Sequence, residues 1–175
     1  QPFVLYVGRM DPGKGVYSLL VDHERYRREG GGADLVFAGP GVSPPNLPPW
    51  ARHLGAVSRQ DREDLLAGAV ALAMPSVNES YSLVLAEAWQ AQLPTLGTGR
   101  GAVVAGQTAR SGGGLLYLDA ASYARQLRRL ESDPELRADL GATGHRWTQT
   151  QTPAAYADRW QELIETVRAQ ARSAR

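Results

Sequence analysis

The sequence contains no cysteine, a single lysine and no apolar run that approaches the roughly 20 residues needed to cross a bilayer. Without cysteine, disulfides and thiolate metal sites are excluded. The formal net charge of +1 lacks the basic excess that is typical of a general nucleic-acid-binding protein. We therefore expect no nucleic-acid partner and no transmembrane segment. Cytoplasmic residence is the default prediction, and peripheral attachment of a longer protein to a membrane stays open.

The composition and the apolar pattern predict one α/β domain over residues 1–175. Hydrophobic residues make up 43% of the chain and charged residues 21%, which is typical of a globular protein. Strand-like runs alternate with helical patterns as far as Leu118, and the rest of the chain is helical. This order predicts a Rossmann-like, doubly wound parallel sheet flanked by helices, with a helical C-terminal extension. The predicted strands are 3–7, 33–39, 54–57, 70–76 and 93–97.

Local patterns set the remaining boundaries. Ser58 with Asp61 predicts a capping box, and Asp119 is predicted to cap the next helix. The proline-rich stretch 40–50 is predicted to be a loop, and the stretch up to the glycines at 112–114 is interpreted as a glycine-rich connection. The last helix has an apolar stripe that is interpreted either as core packing or as a contact with a second domain. The stripe consists of Tyr156, Trp160, Leu163, Ile164 and Val167.

The segment GRMDPGKG, residues 8–15, follows the first predicted strand and nearly spells a nucleotide-triphosphate loop. Gly15 stands where such a loop has a magnesium-binding hydroxyl, and Pro12 removes a backbone donor from a loop that needs donors. A P-loop NTPase is therefore the weaker alternative. Arg9 and Lys14, at the carboxyl end of the strand, could instead neutralise a diphosphate without metal, with the helix N-terminus assisting. A solvated basic turn explains the same residues unless a second element supports the site.

The second element is NESYSLVLAE, residues 78–87. On one helix, Glu79 and Glu87 would lie roughly 12 Å apart, beyond the carboxylate spacing of about 5–9.5 Å in glycosidases, so a hydrolase is not indicated. We predict that Glu79 lies in a loop and Glu87 lies one to two turns into a helix that begins near Tyr81. The free N–H groups from Ser80 through Tyr81 and Ser82 to Leu83 would form an anion site between the two carboxylates.

Taken together, these segments resemble the C-terminal half of a retaining GT-B-fold glycosyltransferase of the group 1, or family 4, type. Gly8, Arg9, Lys14 and Gly15 match G-R-x4-K-G, and Glu79 to Glu87 matches E-x7-E. The segments LVFAGPG, LGAV, MPS and DPELRADLG match as well, so the resemblance covers nearly the whole chain. It implies a nucleotide-sugar-binding domain of a hexosyltransferase that retains anomeric configuration and needs no metal or other cofactor.

The resemblance also implies roles for individual residues. Arg9 and Lys14 would bind the donor diphosphate and stabilise it as the leaving group. Glu79 would approach the transferred sugar, Glu87 the ribose hydroxyls and the backbone near Val57 the base. The N-terminal acceptor domain of such enzymes is absent from this sequence, so we expect the isolated domain to be inactive.

Departures from the family pattern keep other functions open. Ser80, Tyr81 and Ser82 stand where Gly-Phe-Gly is commoner, and no carboxylate follows the strand at 93–97. A non-catalytic nucleotide-sugar-binding module would need the same donor contacts as a transferase domain. The sequence leaves the base, the sugar, the acceptor and the linkage undetermined.

Overall fold

The computed structural model describes residues 1–173 as an α/β fold with six strands and seven helices. The strands are β1 (Phe3–Val7), β2 (Asp34–Ala38), β3 (Ala51–His53), β4 (Ala71–Met74), β5 (Thr95–Thr98) and β6 (Gly114–Tyr117). The helices are α1 (Val16–Arg28), α2 (Arg59–Gly68), α3 (Leu83–Gln90), α4 (Ala102–Ser111), α5 (Ala120–Ser132), α6 (Pro134–Gln149) and α7 (Pro153–Ser173). Strand and helix alternate up to β6, and three helices follow, as predicted.

The strands form one parallel sheet in the order β3-β2-β1-β4-β5-β6. The chain winds outward from β1 in one direction and then from β4 in the other. The loops that follow these two neighbouring strands therefore diverge, and they leave a crevice at the carboxyl edge of the sheet. This confirms the doubly wound fold and places the two predicted site segments side by side.

Both faces of the sheet are buried, which explains why β1 is a continuous apolar run rather than an alternating one. Val4 and Tyr6 point into a core that includes residues of α1 and α5. Leu5 points into the opposite core, which includes Leu85 and Trp89 of α3. The two cores hold the sheet edge rigidly, so the site loops start from fixed positions.

Several predicted boundaries are confirmed by their capping geometry. Ser58 and Asp61 form a reciprocal capping box at the start of α2. Asp119 caps α5 in a second box with Ser122, as predicted. Asp133 accepts a hydrogen bond from the Leu136 N–H at the start of α6. Local side-chain chemistry was sufficient to predict the starts of α2 and α5.

The predicted third strand at 54–57 is wrong, because the strand is Ala51–His53. These residues pair with Leu35 to Phe37 of β2. Gly55 then adopts a left-handed conformation with φ of +72°, which ends the extended segment. The proline loop ends at Trp50, as predicted, and the strand follows it directly.

The interpretation of the stretch before Gly112 as a glycine-rich connection is also wrong, because residues 102–111 form α4. This helix contains Val, Gly and Thr, which are weak helix formers. Tertiary packing overrides that weakness, since Val104 and Gln107 are fully buried. Gly112, with φ of +62°, ends the helix in the left-handed conformation.

Helix α7 carries an apolar stripe that the rest of the described chain leaves exposed. Its exposed fractions range from 42% at Tyr156 to 63% at Trp160. Core packing is therefore the wrong interpretation of this stripe. Among residues 1–173, no helix combines the length and the apolar character that a membrane crossing requires.

Candidate functional site

The loop between β1 and α1 is folded by its own backbone donors. The Gly13 N–H donates to Asp11 Oδ1 at 2.7 Å, and the Lys14 N–H donates to the Asp11 carbonyl at 2.9 Å. The Gly15 N–H donates to the Pro12 carbonyl at 3.1 Å. A P-loop would aim such donors at phosphates. Here they close a 3-10 turn over Pro12–Lys14, which disfavours the triphosphate-loop alternative.

Gly15 explains why the hydroxyl of a P-loop is missing. Its φ of +78° is strained for any residue with a side chain. A Cβ at this position would lie 2.7 Å from the carbonyl oxygen of Pro75 in the loop after β4. Position 15 therefore lets the β1–α1 loop cross closely against the β4–α3 loop, and a serine or threonine does not fit there.

The two crossing loops bring Lys14 and Glu79 together. Lys14 Nζ lies 2.8 Å from Glu79 Oε1, and the side chains are 32% and 13% exposed. The two residues are 65 positions apart in sequence, but they follow neighbouring strands at the point where the strand order reverses. Two predicted site residues thus form a partly buried ion pair at the place where an α/β sheet binds ligands.

A small cavity of about 170 Å³ adjoins this pair. Its lining includes Tyr6, Gly8, Lys14, Ser76, Glu79 and Leu83. Ser76 is 1% exposed, and its hydroxyl has no hydrogen-bond partner among the described residues. An unpartnered buried hydroxyl is costly unless a ligand or water completes it. The cavity therefore offers a cation, a carboxylate and a free hydroxyl within one recess.

Tyr6 connects this cavity to Arg9. Its hydroxyl donates to the Arg9 carbonyl at 2.8 Å, which fixes the backbone from which the arginine projects. Burial, reinforced by the negative charges of Glu79 and Asp11, raises the pKa of Tyr6 to about 12. Arg9 itself is exposed, and its guanidinium has no hydrogen bond or ion pair with any residue in 1–173. Arg9 does not line the cavity, but its guanidinium is available to an anion that approaches the β1–α1 loop.

The loop before α3 departs from the predicted anion site at one position. The Ser82 N–H donates to Oε1 of Gln107 at 2.9 Å, and the Ser82 hydroxyl caps α3 by accepting from the Leu85 N–H. Ser82 is 3% exposed, so its N–H is not free as predicted. Ser80, Tyr81 and Leu83 are exposed, so their N–H groups remain candidates for the predicted anion site.

Tyr81 also touches the C-terminal helix. Burial, and then the neighbouring phenol of Tyr156, raises the pKa of Tyr81. Tyr156 begins the exposed apolar stripe of α7. The start of that helix therefore lies beside the candidate site.

Glu87 and Val57 line clefts other than the Lys14 cavity. Glu87, the fifth residue of α3, forms an ion pair with Arg62 of α2 beside a cleft of about 640 Å³. Val57 lies in the loop before α2 and lines a third cleft of about 530 Å³ with Leu54 and Leu65. The structure thus places the predicted site residues in three separate recesses, and only Lys14 and Glu79 are in contact with each other.

Four residues that contribute to these recesses were missed from the sequence. Tyr6, Arg62, Ser76 and Gln107 act through contacts between segments that are distant in the chain. Ser76 belongs to the MPS segment that carries part of the family resemblance, which was the one available indication. The described residues contain no cluster of three or more histidine and carboxylate side chains arranged to hold a metal ion.

Comparisons with known proteins identify the family. A family model for the group 1 glycosyl transferases matches residues 1–133. The D-inositol 3-phosphate glycosyltransferase of Streptomyces avermitilis is 33% identical over a 162-residue alignment, which covers 81% of this chain and 35% of that protein. The chain therefore spans about a third of the length of this relative.

Solved structures agree on the fold. The sucrose-phosphate synthase of Thermosynechococcus elongatus superposes with a TM-score of 0.75 at 24% identity, covering 97% of this chain and 46% of that one. A mutant of S. aureus TarM, solved with fondaparinux, α-GlcNAc-glycerol and UDP, gives 0.80 at 16% identity, with 93% and 35% coverage. Both match the Rossmann-like architecture of GT-B glycosyltransferases. With the family model matching most of its length, the chain belongs to the group 1 glycosyltransferases.

Proposed function

We propose that this chain is the donor-binding domain of a retaining hexosyltransferase, which transfers a sugar from a nucleoside-diphosphate sugar to a hydroxyl acceptor without a metal. The observation that carries the proposal is the Lys14–Glu79 ion pair at the reversal of strand order. The pair combines a cation that can bind a diphosphate with a carboxylate that can bind a sugar hydroxyl, and the two groups are in contact. Bound donor would place its diphosphate and its sugar on these two groups.

In this proposal Arg9 and Lys14 neutralise the diphosphate. Arg9 supplies a fork of donors from an exposed position, and Lys14 supplies a point charge from a partly buried one. Their charge stabilises the negative charge that develops on the leaving group in the transition state. The N–H groups of the exposed residues Ser80, Tyr81 and Leu83 add donors at the start of α3.

Glu79 has two successive partners in this account. Without a donor it neutralises Lys14, and with one it exchanges the ammonium for a hydroxyl of the sugar. The bond between the anomeric carbon and the phosphate oxygen breaks while the acceptor oxygen bonds to the same face of that carbon. The departing phosphate takes the acceptor proton, so the reaction balances without a further base.

The nucleoside would lie toward the other two clefts. Glu87 accepts hydrogen bonds from the ribose hydroxyls, and the backbone near Val57 contacts the base. The TarM mutant was solved with UDP, which makes uridine nucleotides the first to test.

We further propose that a second, acceptor-binding domain closes over this edge of the sheet. Two observations support it. The chain spans 35% of its curated relative, and α7 presents five apolar side chains that the described residues leave exposed. Because Tyr156 of this stripe neighbours Tyr81, the second domain would pack beside the donor site.

The proposal is tested first by calorimetric titration of the chain with UDP, GDP, ADP and ATP, with and without magnesium. We expect saturable binding of one nucleoside diphosphate that does not depend on magnesium. Lys14→Ala should weaken it by about tenfold or more, since a charged hydrogen bond contributes about 1.5–3 kcal/mol. Arg125→Ala, which removes an exposed charge from α5, is the matched control. ATP binding that requires magnesium would instead support the P-loop alternative.

Measurements on the full-length protein distinguish catalysis from binding alone. Glu79→Gln there should abolish most sugar transfer while the nucleoside diphosphate still binds. A full-length protein that binds a nucleotide sugar but shows neither transfer nor hydrolysis with any hydroxyl acceptor would support a regulatory binding module.

A further inference from the structure

Helices α2 and α3 start at the carboxyl edge of the sheet and carry an ion pair between them, about one turn from that edge. Arg62 is the fourth residue of α2, and its Nη2 contacts Oε2 of Glu87 on α3. The two side chains are 33% and 42% exposed at the border of the 640 Å³ cleft. The pair is thus open to a ligand but held by two rigid helices.

The hydrogen bonding of this pair is incomplete on both sides. Arg62 bonds to one carboxylate oxygen, and Oε1 of Glu87 has no partner among residues 1–173. Arg62 Nε is buried without a partner, so Glu87 is the polar group that anchors the guanidinium in the described chain. The contact therefore fixes Glu87 through one oxygen and leaves the other to accept from a ligand.

We propose that Arg62 is a positioning residue for nucleoside recognition, which aims the free oxygen of Glu87 at a ribose hydroxyl. This inference rests on the proposed donor-binding function. A side chain held by a charged hydrogen bond loses less rotamer freedom when the ligand binds. Arg62 also offsets the negative charge of Glu87, which would otherwise repel an approaching diphosphate.

A role for Arg62 as a competitor of the ligand makes a different prediction. If Arg62 occupied Glu87 as a competitor of the ligand, its removal would free the carboxylate and strengthen binding. A positioning role predicts weaker binding, together with the loss of one specific preference, that for the ribose hydroxyl. Loss of this preference distinguishes a positioning role from a merely structural one, because a structural defect would weaken the binding of all ligands equally.

The test titrates UDP, GDP and ADP and their 2′-deoxy and 3′-deoxy analogues against four forms of the chain by calorimetry. These are the unsubstituted chain, Arg62→Gln, Glu87→Ala and the double variant. Arg125→Gln is the matched control, because Arg125 is exposed on α5 and lines none of the three recesses. Circular dichroism and urea unfolding confirm that each variant is folded.

We expect the unsubstituted chain to lose about tenfold in affinity when the recognised hydroxyl is removed, as for one charge-assisted hydrogen bond. Arg62→Gln should weaken the parent nucleotide by about threefold to tenfold and reduce the deoxy penalty to about twofold. In the Glu87→Ala background, Arg62→Gln should have no further effect on that penalty. Arg125→Gln should leave both the affinity and the penalty unchanged.

Two results would overturn the inference alone. A deoxy penalty that stays complete in Arg62→Gln, or tighter binding by that variant, would remove the positioning role while donor binding stands. Failure of the unsubstituted chain to bind any of the three nucleoside diphosphates would instead overturn the proposed function, and this inference with it.

Discussion

The ammonium of Lys14 and the carboxylate of Glu79 lie 2.8 Å apart across the gap between the loops that follow β1 and β4. Each group neutralises the other in a recess where the glutamate is only 13% exposed. A ligand that brings both an anion and a hydroxyl can replace both halves of this pair. In the proposed function, this ion pair would therefore link occupation of the diphosphate site to release of the carboxylate for the sugar.

This link predicts opposite effects of Glu79→Gln on two ligands. Removing the carboxylate frees Lys14 from its partner, so UDP alone should bind the chain about twofold to fivefold more tightly. UDP-glucose should lose affinity relative to UDP, because its sugar no longer meets a charged acceptor. Calorimetric titration of both ligands checks the prediction. Equal changes for UDP and UDP-glucose would show that Glu79 does not discriminate the sugar.

Restoring the P-loop hydroxyl should damage the fold rather than create a magnesium site. Gly15→Ser combines a left-handed φ with a Cβ that would lie 2.7 Å from the Pro75 carbonyl. Urea unfolding should show a loss of about 2–4 kcal/mol, above the cost of the backbone conformation alone. Gly30→Ser is the matched control, since φ is +89° there and nothing lies within 4 Å of its Cβ. A Gly15 variant no less stable than the Gly30 variant would contradict the close loop crossing.

Gln107 should determine the order of the loop before α3. Gln107→Leu leaves the buried N–H and carbonyl of Ser82 without their partners, which should cost about 2 kcal/mol and speed hydrogen exchange at the Ser82 amide. Thr108→Val on the same helix is the control, because the buried Thr108 hydroxyl has no partner in the described chain. That control should be neutral or stabilising. An unchanged Ser82 exchange rate in Gln107→Leu would show that the loop is held by other contacts.

Two adjacent residues of α1 should oppose each other in the pH dependence of stability. Burial lowers the pKa of His23 to about 4, and its ring is held between the Tyr123 hydroxyl and the Ala33 carbonyl. The folded pKa lies below the unfolded one, so His23 contributes stability that falls as the pH decreases from about 6.5 toward 4, at up to about 1.4 kcal/mol per pH unit. Burial raises the pKa of Asp22 to about 6, which reverses the sign. Asp22 therefore favours the folded state increasingly as the pH decreases through that value.

Substituting each residue separates the two contributions. Asp22→Asn should make stability fall more steeply between pH 6.5 and 5 than in the unsubstituted chain. In His23→Gln the fall should disappear or reverse over the same range. Urea unfolding at half-unit pH intervals measures the slopes, and parallel slopes in all three chains would contradict both assignments.

Features that depend on neighbouring residues were predictable from the sequence. The position of β1, the capping box of Ser58 and the cap of Asp119 follow from apolar patterning and local hydrogen bonding. The third strand was misplaced because Gly55, not apolar character, determines where pairing with β2 ends. Helix α4 was missed because buried Val104 and Gln107 stabilise a segment of weak intrinsic helix preference.

The residues of the candidate site also differ in whether the sequence could predict them. Lys14 and Glu79 were identified because their residue types and spacing carry a family pattern, and the sheet order brings them into contact. Arg62 and Gln107 were not identified from the sequence, since each contacts a partner 25 residues away through packing between helices or loops. Ser82 was assigned to an anion site because its N–H comes at a helix start. In the structure the Ser82 N–H donates to Gln107, and no local sequence pattern indicates this hydrogen bond.

The measurement that tests the metal-free diphosphate site most directly exploits the fact that Lys14 is the only lysine in the sequence. Selective 15N-lysine labelling of the chain gives a single backbone amide resonance, so its response needs no assignment. We expect this resonance to shift saturably as a nucleoside diphosphate is added, and to do so equally with magnesium and with a chelator present. A resonance that stays in place up to millimolar UDP, GDP and ADP, or that moves only when magnesium accompanies ATP, would contradict the account.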